Sequence, residues 1–449
     1  MTPLESATRF SGYRVLLICL AGVIGAGLLP TLMMRTMGWS NGFWLIANMW
    51  QGQGGGDSWG AIAKALQHLD TQGIDQFYED LYYRADHQFI YSPLSLVFFR
   101  LTQFPPWIDW YSSARMNNAS WWVMLAMILV LTLIIRESIV RCVRTAVAPT
   151  LPQTVGMVAL SAVAISTFFP IISGFRHGQI QTWLDFLAML SLLLVILNRH
   201  CWAGLFIGLA CIIKPQVGVM IVWAALRRDW WFLAGALLPI SFFGAVSLAD
   251  YGWRMHLDYA SLLLFLSRRG ESFVGNQSIN GLLNRMFFLG PNVTFDGSHT
   301  HIIYNPWVQA ATTLSSAIMI LAALFVRSEK NTFAGVLDFG TALLVSTLAS
   351  PVAYTHHYGW ILPLFWLLFL RLQTNGKRQV GLYALLGVSY AMMSNGFDIL
   401  NNLADTNWNF LQSALMFGAF ILLGLLYRVR IGGKTSRVAI AKVADQVHA

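Results

Sequence analysis

The chain has 449 residues, 56% of them hydrophobic and only 11% charged, with a mean hydropathy of +0.57. Soluble domains carry about 25% charged residues, so a soluble globular protein is excluded. The formal net charge of +9 is spread over short segments between apolar runs, where it encodes topology, and no nucleic-acid partner is expected.

Apolar runs long enough to span hydrocarbon fall near residues 12–34, 119–138, 153–172, 179–197, 230–248, 305–326, 333–350, 359–371, 380–397 and 408–427. The first follows Arg9 and Arg14 as a signal peptide would. It is too long for one and lacks a small-residue cleavage site, so it reads as a retained span. Residues 35–118 then form a long loop containing "GGGDSWGAIAKALQHLD". Apolar positions 59, 62, 63 and 66 there follow the spacing of an amphipathic helix lying along the membrane surface. Residues 91–104, "YSPLSLVFFRLTQF", are apolar but short and read as a second interfacial or re-entrant helix.

Between the fourth and fifth spans, 202–226 reads as two short halves joined at Lys214-Pro215-Gln216, with Arg199, Arg227 and Arg228 on one side. A second long loop covers 249–304. The tail from Arg428 to 449 is basic and polar and is expected to be a loosely ordered inner end. With the N-terminus inside, 18 of the 29 Lys/Arg are inner and 11 outer, while 5 of the 20 acidic residues are inner and 13 outer. Lys/Arg bias sets orientation, so both termini are expected in the cytoplasm. None of the four cysteines falls in an outer loop, and no disulfide framework is expected.

This topology gathers the unusual polar segments at the outer boundary: Asp57, Tyr91-Ser92-Pro93, "FRHGQIQ" at 175–181, "KPQ" at 214–216, "GNQSINGLLNR" at 275–285 and "YTHH" at 354–357. Each also has a plainer reading. Asp57, after three glycines and before a helix, suits an N-cap as well as a general base. Lys214 suits a functional cation or a lysine snorkelling to headgroups. Arg176 and His177 could contact headgroups, Gln179 and Gln181 could bond between helices, and His356 and His357 could be structural. The Asn276 sequon, like those at Asn118 and Asn292, is a weak signal. Together, one carboxylate and several cationic donors at a membrane face suit a hydroxyl attacking a sugar whose leaving group is a lipid phosphate.

The order of Asp57, "YSPL" at 91–94, "GQIQTWLDFLAMLSL" at 178–192, "AGLFIGLACIIKPQVGVMIVWAAL" at 203–226, "NQSINGLLNR" at 276–285 and "SPVAYTHHYGWILPL" at 350–364 resembles glycosyltransferase family 87. These are polyprenyl-phosphate-mannose-dependent mannosyltransferases of the C-type membrane fold. The resemblance implies an all-α polytopic bundle of about 12 membrane segments, two of them short halves, with interfacial helices in the first outer loop. Residues 1–427 would form one catalytic domain in the plasma (inner) membrane, its site on the outer, periplasmic face. It implies inverting transfer of a hexose, foremost mannose, from a polyprenyl-phosphate sugar donor to a hydroxyl of a glycolipid or glycan acceptor, among membrane lipids.

In this frame Asp57 matches the catalytic base. Arg176, His177, Gln179, Lys214, Gln216, His356 and His357 would bind the donor phosphate or substrate. Tyr91, Asn276, Gln277 and Arg285 would make further substrate contacts. No metal and no cofactor is implied. The chain reads "YSP" where the family often has Tyr-Pro-Pro, and "AYTHH" where a tryptophan commonly precedes the histidines, departures that bear on donor or acceptor preference. A flippase for lipid-linked sugars, or an oligosaccharide ligase or polymerase of the same architecture, are the alternatives.

Overall fold

The computed structural model of the protein describes residues 13–39, 41–84, 89–103, 109–142, 149–268, 270–287, 292–295, 301–302, 304–326, 332–374 and 379–447. Arg9, which precedes the first apolar run, lies outside them. The elements of the described chain are helices apart from one two-stranded pair, Gly270–Glu271 against His301–Ile302. Among the described residues, five helices are long and apolar enough to cross a membrane, or six if one bent pair counts as a single span. The protein is an all-α integral membrane protein.

The first span, α1 (Val15–Thr36), leads through α2 (Asn41–Trp50) to α3 (Asp57–Thr71), the amphipathic helix. Trp59, Ile62, Ala65 and Leu66 of α3 are buried. They join a core distinct from that of the main bundle, built with Leu96 and Phe99 of α4 (Pro93–Thr102) and an edge-to-face run of Phe77, Phe89, Tyr91 and Phe99. Pro93 at the first position and the Ser92 side chain, which accepts from Ser95 N, start α4. The long first loop is therefore a packed subassembly, and it rests on the bundle.

The helix α5 (Ser113–Glu137) is followed by α6 (Leu151–Thr167) and α7 (Phe169–His177), which meet at a 59° bend. The apolar window predicts a single span over 153–172, and the structure differs. Pro170 cannot donate to the carbonyl one turn back, so the helix breaks at extended Phe168 and restarts. After α8 (Gln181–Ile196), α9 (His200–Ile213) and α10 (Val219–Arg227) form the two short halves. Pro215 disfavours helical backbone at the residue before it, and Lys214 accordingly sits at φ −122°, ψ 93°. A short 3-10 turn, Pro215–Gly218, joins them.

The next helix, α11 (Trp230–Arg268), runs well past the expected end at 248, turning at non-helical Gly252. It lies so close to α9 that a Cβ on Gly204 or Gly208 would stand 2.0 or 2.3 Å from the Phe232 or Ala236 carbonyl oxygen. Small residues allow such backbone contact in membrane bundles. The chain continues with α12 (Ile279–Phe287), α13 (Pro306–Phe325), α14 (Thr332–Leu348), α15 (Leu362–Thr374), α16 (Val380–Ser394) and α17 (Ala414–Val447). The last helix runs through the segment expected to be a loosely ordered tail.

Candidate active site

The site begins where the glycine loop meets the α7–α8 turn. Gly55 N donates to the Arg176 carbonyl at 2.7 Å, Ser58 N donates to the Gly178 carbonyl at 3.2 Å, and Asn117 Nδ2 donates to the Gly55 carbonyl at 3.1 Å. Gly178 closes α7 in the left-handed region (φ 67°), and a Cβ there would stand 2.2 Å from Gly55 O. Only glycine satisfies both demands. Asp57 is the first residue of α3 and is exposed, and it follows Gly56, the N-cap. The plainer reading of Asp57 as the N-cap is thus displaced by one residue.

Hydrogen bonds orient the groups around this carboxylate. Ser58 Oγ accepts from Ile180 N at 3.0 Å, lies 2.7 Å from the Tyr91 hydroxyl and donates to Gln179 Oε1 at 2.9 Å. With its oxygen engaged, Gln179 turns Nε2 to Asp57 Oδ2 at 3.1 Å. Burial pushes the Tyr91 hydroxyl up to about 12, so it stays protonated and donates. Tyr91, expected as a substrate contact, holds Ser58 in place.

Two residues along the same turn lies the cationic half. Lys214 Nζ donates to Gln181 Oε1 at 2.7 Å and lies 2.7 Å from His357 Nε2. Asp57 bonds to Gln179 and Lys214 to Gln181, two residues further along the chain, so the α7–α8 turn carries a partner for each group. His356 and His357 lie on the 3-10 turn Thr355–Ile361. Burial, reinforced by the Lys214 charge, holds both well below the usual imidazole range. A neutral His357 accepts at Nε2 and keeps its proton on Nδ1. His356 is the other partner of the pair, edge-to-face on His357 (ring centroids 4.7 Å apart) and stacked with Tyr354 (5.7 Å).

Arg176 is half-buried and makes no ion pair among the described residues. His177 is exposed and hydrogen-bonded through Nδ1 to the Ser173 carbonyl at 2.8 Å. Gln216, on the Pro215–Gly218 turn, lines a cavity of about 30 Å³ with Lys214, Gln181, His357 and Ser350, enough for one water. Among the described residues no group of three His, Cys, Asp or Glu side chains could hold a metal ion.

Three expected substrate contacts point elsewhere. Arg285 is fully buried and donates to the carbonyls of Phe273 and Asn276, both at 3.0 Å, and to Ser413 Oγ at 2.5 Å. Gln277 Nε2 donates to the carbonyls of Val274 and Gln412, both at 2.8 Å. Asn276 Oδ1 accepts from Ala353 N at 3.1 Å. These side chains tie the second long loop to the backbone before the histidines and to the last helix. Asn276 and Asn292 are fully buried, so neither sequon is open to modification in the folded chain.

Four site residues carry no functional signal in the sequence that singles them out. Ser58 and Gln181 are ordinary polar residues whose partners are remote in sequence. Asp185 falls near a span end, where nothing in the sequence gives it a role. Glu271, buried in the second loop, accepts from the Tyr354 hydroxyl at 2.9 and 3.1 Å. The one hint of it is an acid just ahead of "NQSINGLLNR".

An all-α membrane bundle in which a carboxylate and a lysine bond to one polar segment is the class of molecule this geometry defines. Residues 89–351, more than half of the chain, match the model of glycosyltransferase family 87, and the chain belongs to that family. It is 29% identical over 213 residues to the polyprenol-phosphate-mannose-dependent alpha-(1-2)-phosphatidylinositol mannoside mannosyltransferase of Mycolicibacterium smegmatis, covering 46% of this chain and 45% of that protein. The pentamannoside mannosyltransferase of the same organism is 28% identical over 206 residues, 44% of this chain and 45% of its own. A phosphatidylinositol mannoside mannosyltransferase of Mycobacterium tuberculosis is 27% identical over 212 residues, 46% of this chain and 45% of its own. The match thus spans less than half the length of these relatives. No solved structure matches the chain.

Proposed function

We propose that the protein transfers a hexose, foremost mannose, from a polyprenyl phosphate to a hydroxyl of a glycolipid or glycan at the outer membrane face, with inversion. It would do so as a C-type bundle of about 12 membrane segments, one catalytic domain over residues 1–427, with both termini in the cytoplasm. The observation that carries this reading is that Asp57 and Lys214 bond to Gln179 and Gln181 of one short segment.

Inversion needs a single displacement. The acceptor oxygen attacks the anomeric carbon from the face opposite the departing phosphate, so base and phosphate-binding groups flank the sugar. Asp57 is the base: its exposed carboxylate at the start of α3 accepts the hydroxyl proton as the new bond forms. Lys214 and Arg176 meet the charge that grows on the departing phosphate oxygen, and His357 offers a hydrogen bond from Nδ1–H to the same group. His177 and Gln216 border this pole. The names of the relatives, which specify a polyprenol-phosphate-mannose donor and phosphatidylinositol mannoside acceptors, support the choice of donor and of a glycolipid acceptor.

The test is incubation of the purified chain with polyprenyl-phosphate mannose and its native membrane lipids, followed by mass spectrometry. One hexose added to a lipid or glycan, with an equal amount of polyprenyl phosphate released, is the expected result. A donor that remains intact under every acceptor fraction contradicts it.

A further inference from the structure

We infer that Asp185 is a positioning residue for the phosphate-binding pole: it fixes the Gln181 amide, and through it the Lys214 ammonium. The inference rests on the transferase reading above and deepens it.

Asp185 is fully buried on α8. A carboxylate in such a place is costly and persists where it has a task. Its Oδ1 accepts from Gln181 Nε2 at 2.8 Å, one helical turn away. Its Oδ2 lies against Gly359 of the turn that carries the histidines, where any Cβ would stand 2.0 Å from that oxygen. The carboxylate therefore touches both elements that frame Lys214.

The decisive point is the polarity of an amide. A glutamine side chain offers donors at one end and acceptors at the other. Because an ammonium only donates, Gln181 turns Oε1 to Lys214 Nζ, 2.7 Å away, and its NH2 to the acceptor Asp185 Oδ1. Lysine has three donors. One goes to Gln181 and one to His357, so the direction of the third is set. Replacing Asp185 removes the fixed acceptor of the Gln181 N–H groups, so the amide is held from the Lys214 side alone and the ammonium loses its fixed aim. Gln179 is held by the same logic on the Asp57 side, but by Ser58 instead of a charge.

A pair of exchanges tests this. In Asp185→Asn the acceptor-only group facing Gln181 Nε2 becomes an amide that can offer it either end. In Gln181→Glu two carboxylates face each other. In the double variant the new amide at position 185 donates to the new carboxylate at position 181, which in turn accepts from Lys214, and the sequence of hydrogen bonds is complete again. The readouts are the affinity of the purified full chain for polyprenyl phosphate, and kcat and donor KM with polyprenyl-phosphate mannose. Each single change is expected to weaken polyprenyl phosphate binding and raise donor KM about tenfold, near 1.4 kcal/mol, with acceptor KM unmoved. The double variant should return to within about threefold of the parent.

Parental phosphate affinity in Asp185→Asn, or a double variant as weak as the weaker single, overturns the inference. A parent chain that binds polyprenyl phosphate yet moves no mannose overturns the transferase reading instead, so the two failures are distinct.

Discussion

Gln179 and Gln181 sit on one turn and face opposite chemistry: Gln179 donates to a carboxylate, Gln181 accepts from an ammonium. Neither role depends on glutamine as such. Each is imposed by the group on the far side of the amide, Ser58 for one and Asp185 for the other. Gln179→Ala should therefore cost kcat, about tenfold for one lost charge-assisted hydrogen bond, while the melting temperature changes little because Gln179 is only half-buried. A steady-state rate equal to that of the parent would contradict this. Gly178→Ala tests the turn itself. The positive φ costs about 1–3 kcal/mol, and the methyl group would strike the Gly55 carbonyl, so both thermal stability and transfer should fall. Unchanged activity in that variant would mean that the glycine loop does not need its seat on the turn.

At the scale of elements, the break at Lys214-Pro215 was legible in the sequence, because proline acts on its own neighbours and needs no tertiary context. The amphipathic α3 was legible from its spacing for the same reason. The bend at Phe168 was not: an apolar window reads 153–172 as continuous whether or not the helix turns. The backbone partners of Asn276, Gln277 and Arg285 were not legible for a further reason. A polar residue near a site can serve ligand or backbone, and only the burial of Arg285 among carbonyls decides between them.

The second loop carries a pH signature. Burial raises the Glu271 carboxyl from 4.5 to about 7. The unfolded chain ionises first, so the folded state binds more protons between about pH 4.5 and 7, and its stability declines as pH rises through that window. The lowered histidines act in the opposite sense, their stabilisation being lost as pH falls through the unfolded imidazole range. Glu271→Gln stays neutral and can still accept from Tyr354, so it should remove only the first effect. Melting curves of parent and variant between about pH 5 and 8 should diverge toward high pH, with the variant the more stable. Parallel curves would exclude a raised carboxyl.

On the scale of the whole molecule, the bundle is tied at the end remote from the site. Asp338 of α14 accepts from Trp223 Nε1 at 3.1 Å, from Arg227 Nε at 2.5 Å and Nη2 at 3.0 Å, and from Arg430. Arg227 also donates to the Leu324 carbonyl at 2.6 Å. Three helices, α10, α14 and α17, thus converge on one buried carboxylate, and α13 joins them through Arg227. Removing one member of a buried charge group costs about 3–5 kcal/mol, so Asp338→Asn should lower the unfolding midpoint markedly. The folded fraction should keep its donor KM, since Arg227 closes α10 at the end opposite the Lys214 turn. A specific loss of donor affinity with stability intact would show that the two ends are coupled.

The polar end and its carboxylate remain the centre of the account, and single-turnover transfer by Asp57→Asn tests them most directly. The exposed position predicts a variant that inserts, folds and binds polyprenyl phosphate as the parent does. Its rate of mannose transfer should fall by at least about 10²-fold, the lower bound for loss of a general base. Transfer at the parental rate would contradict the assignment of Asp57 and, with it, the proposed chemistry of the site.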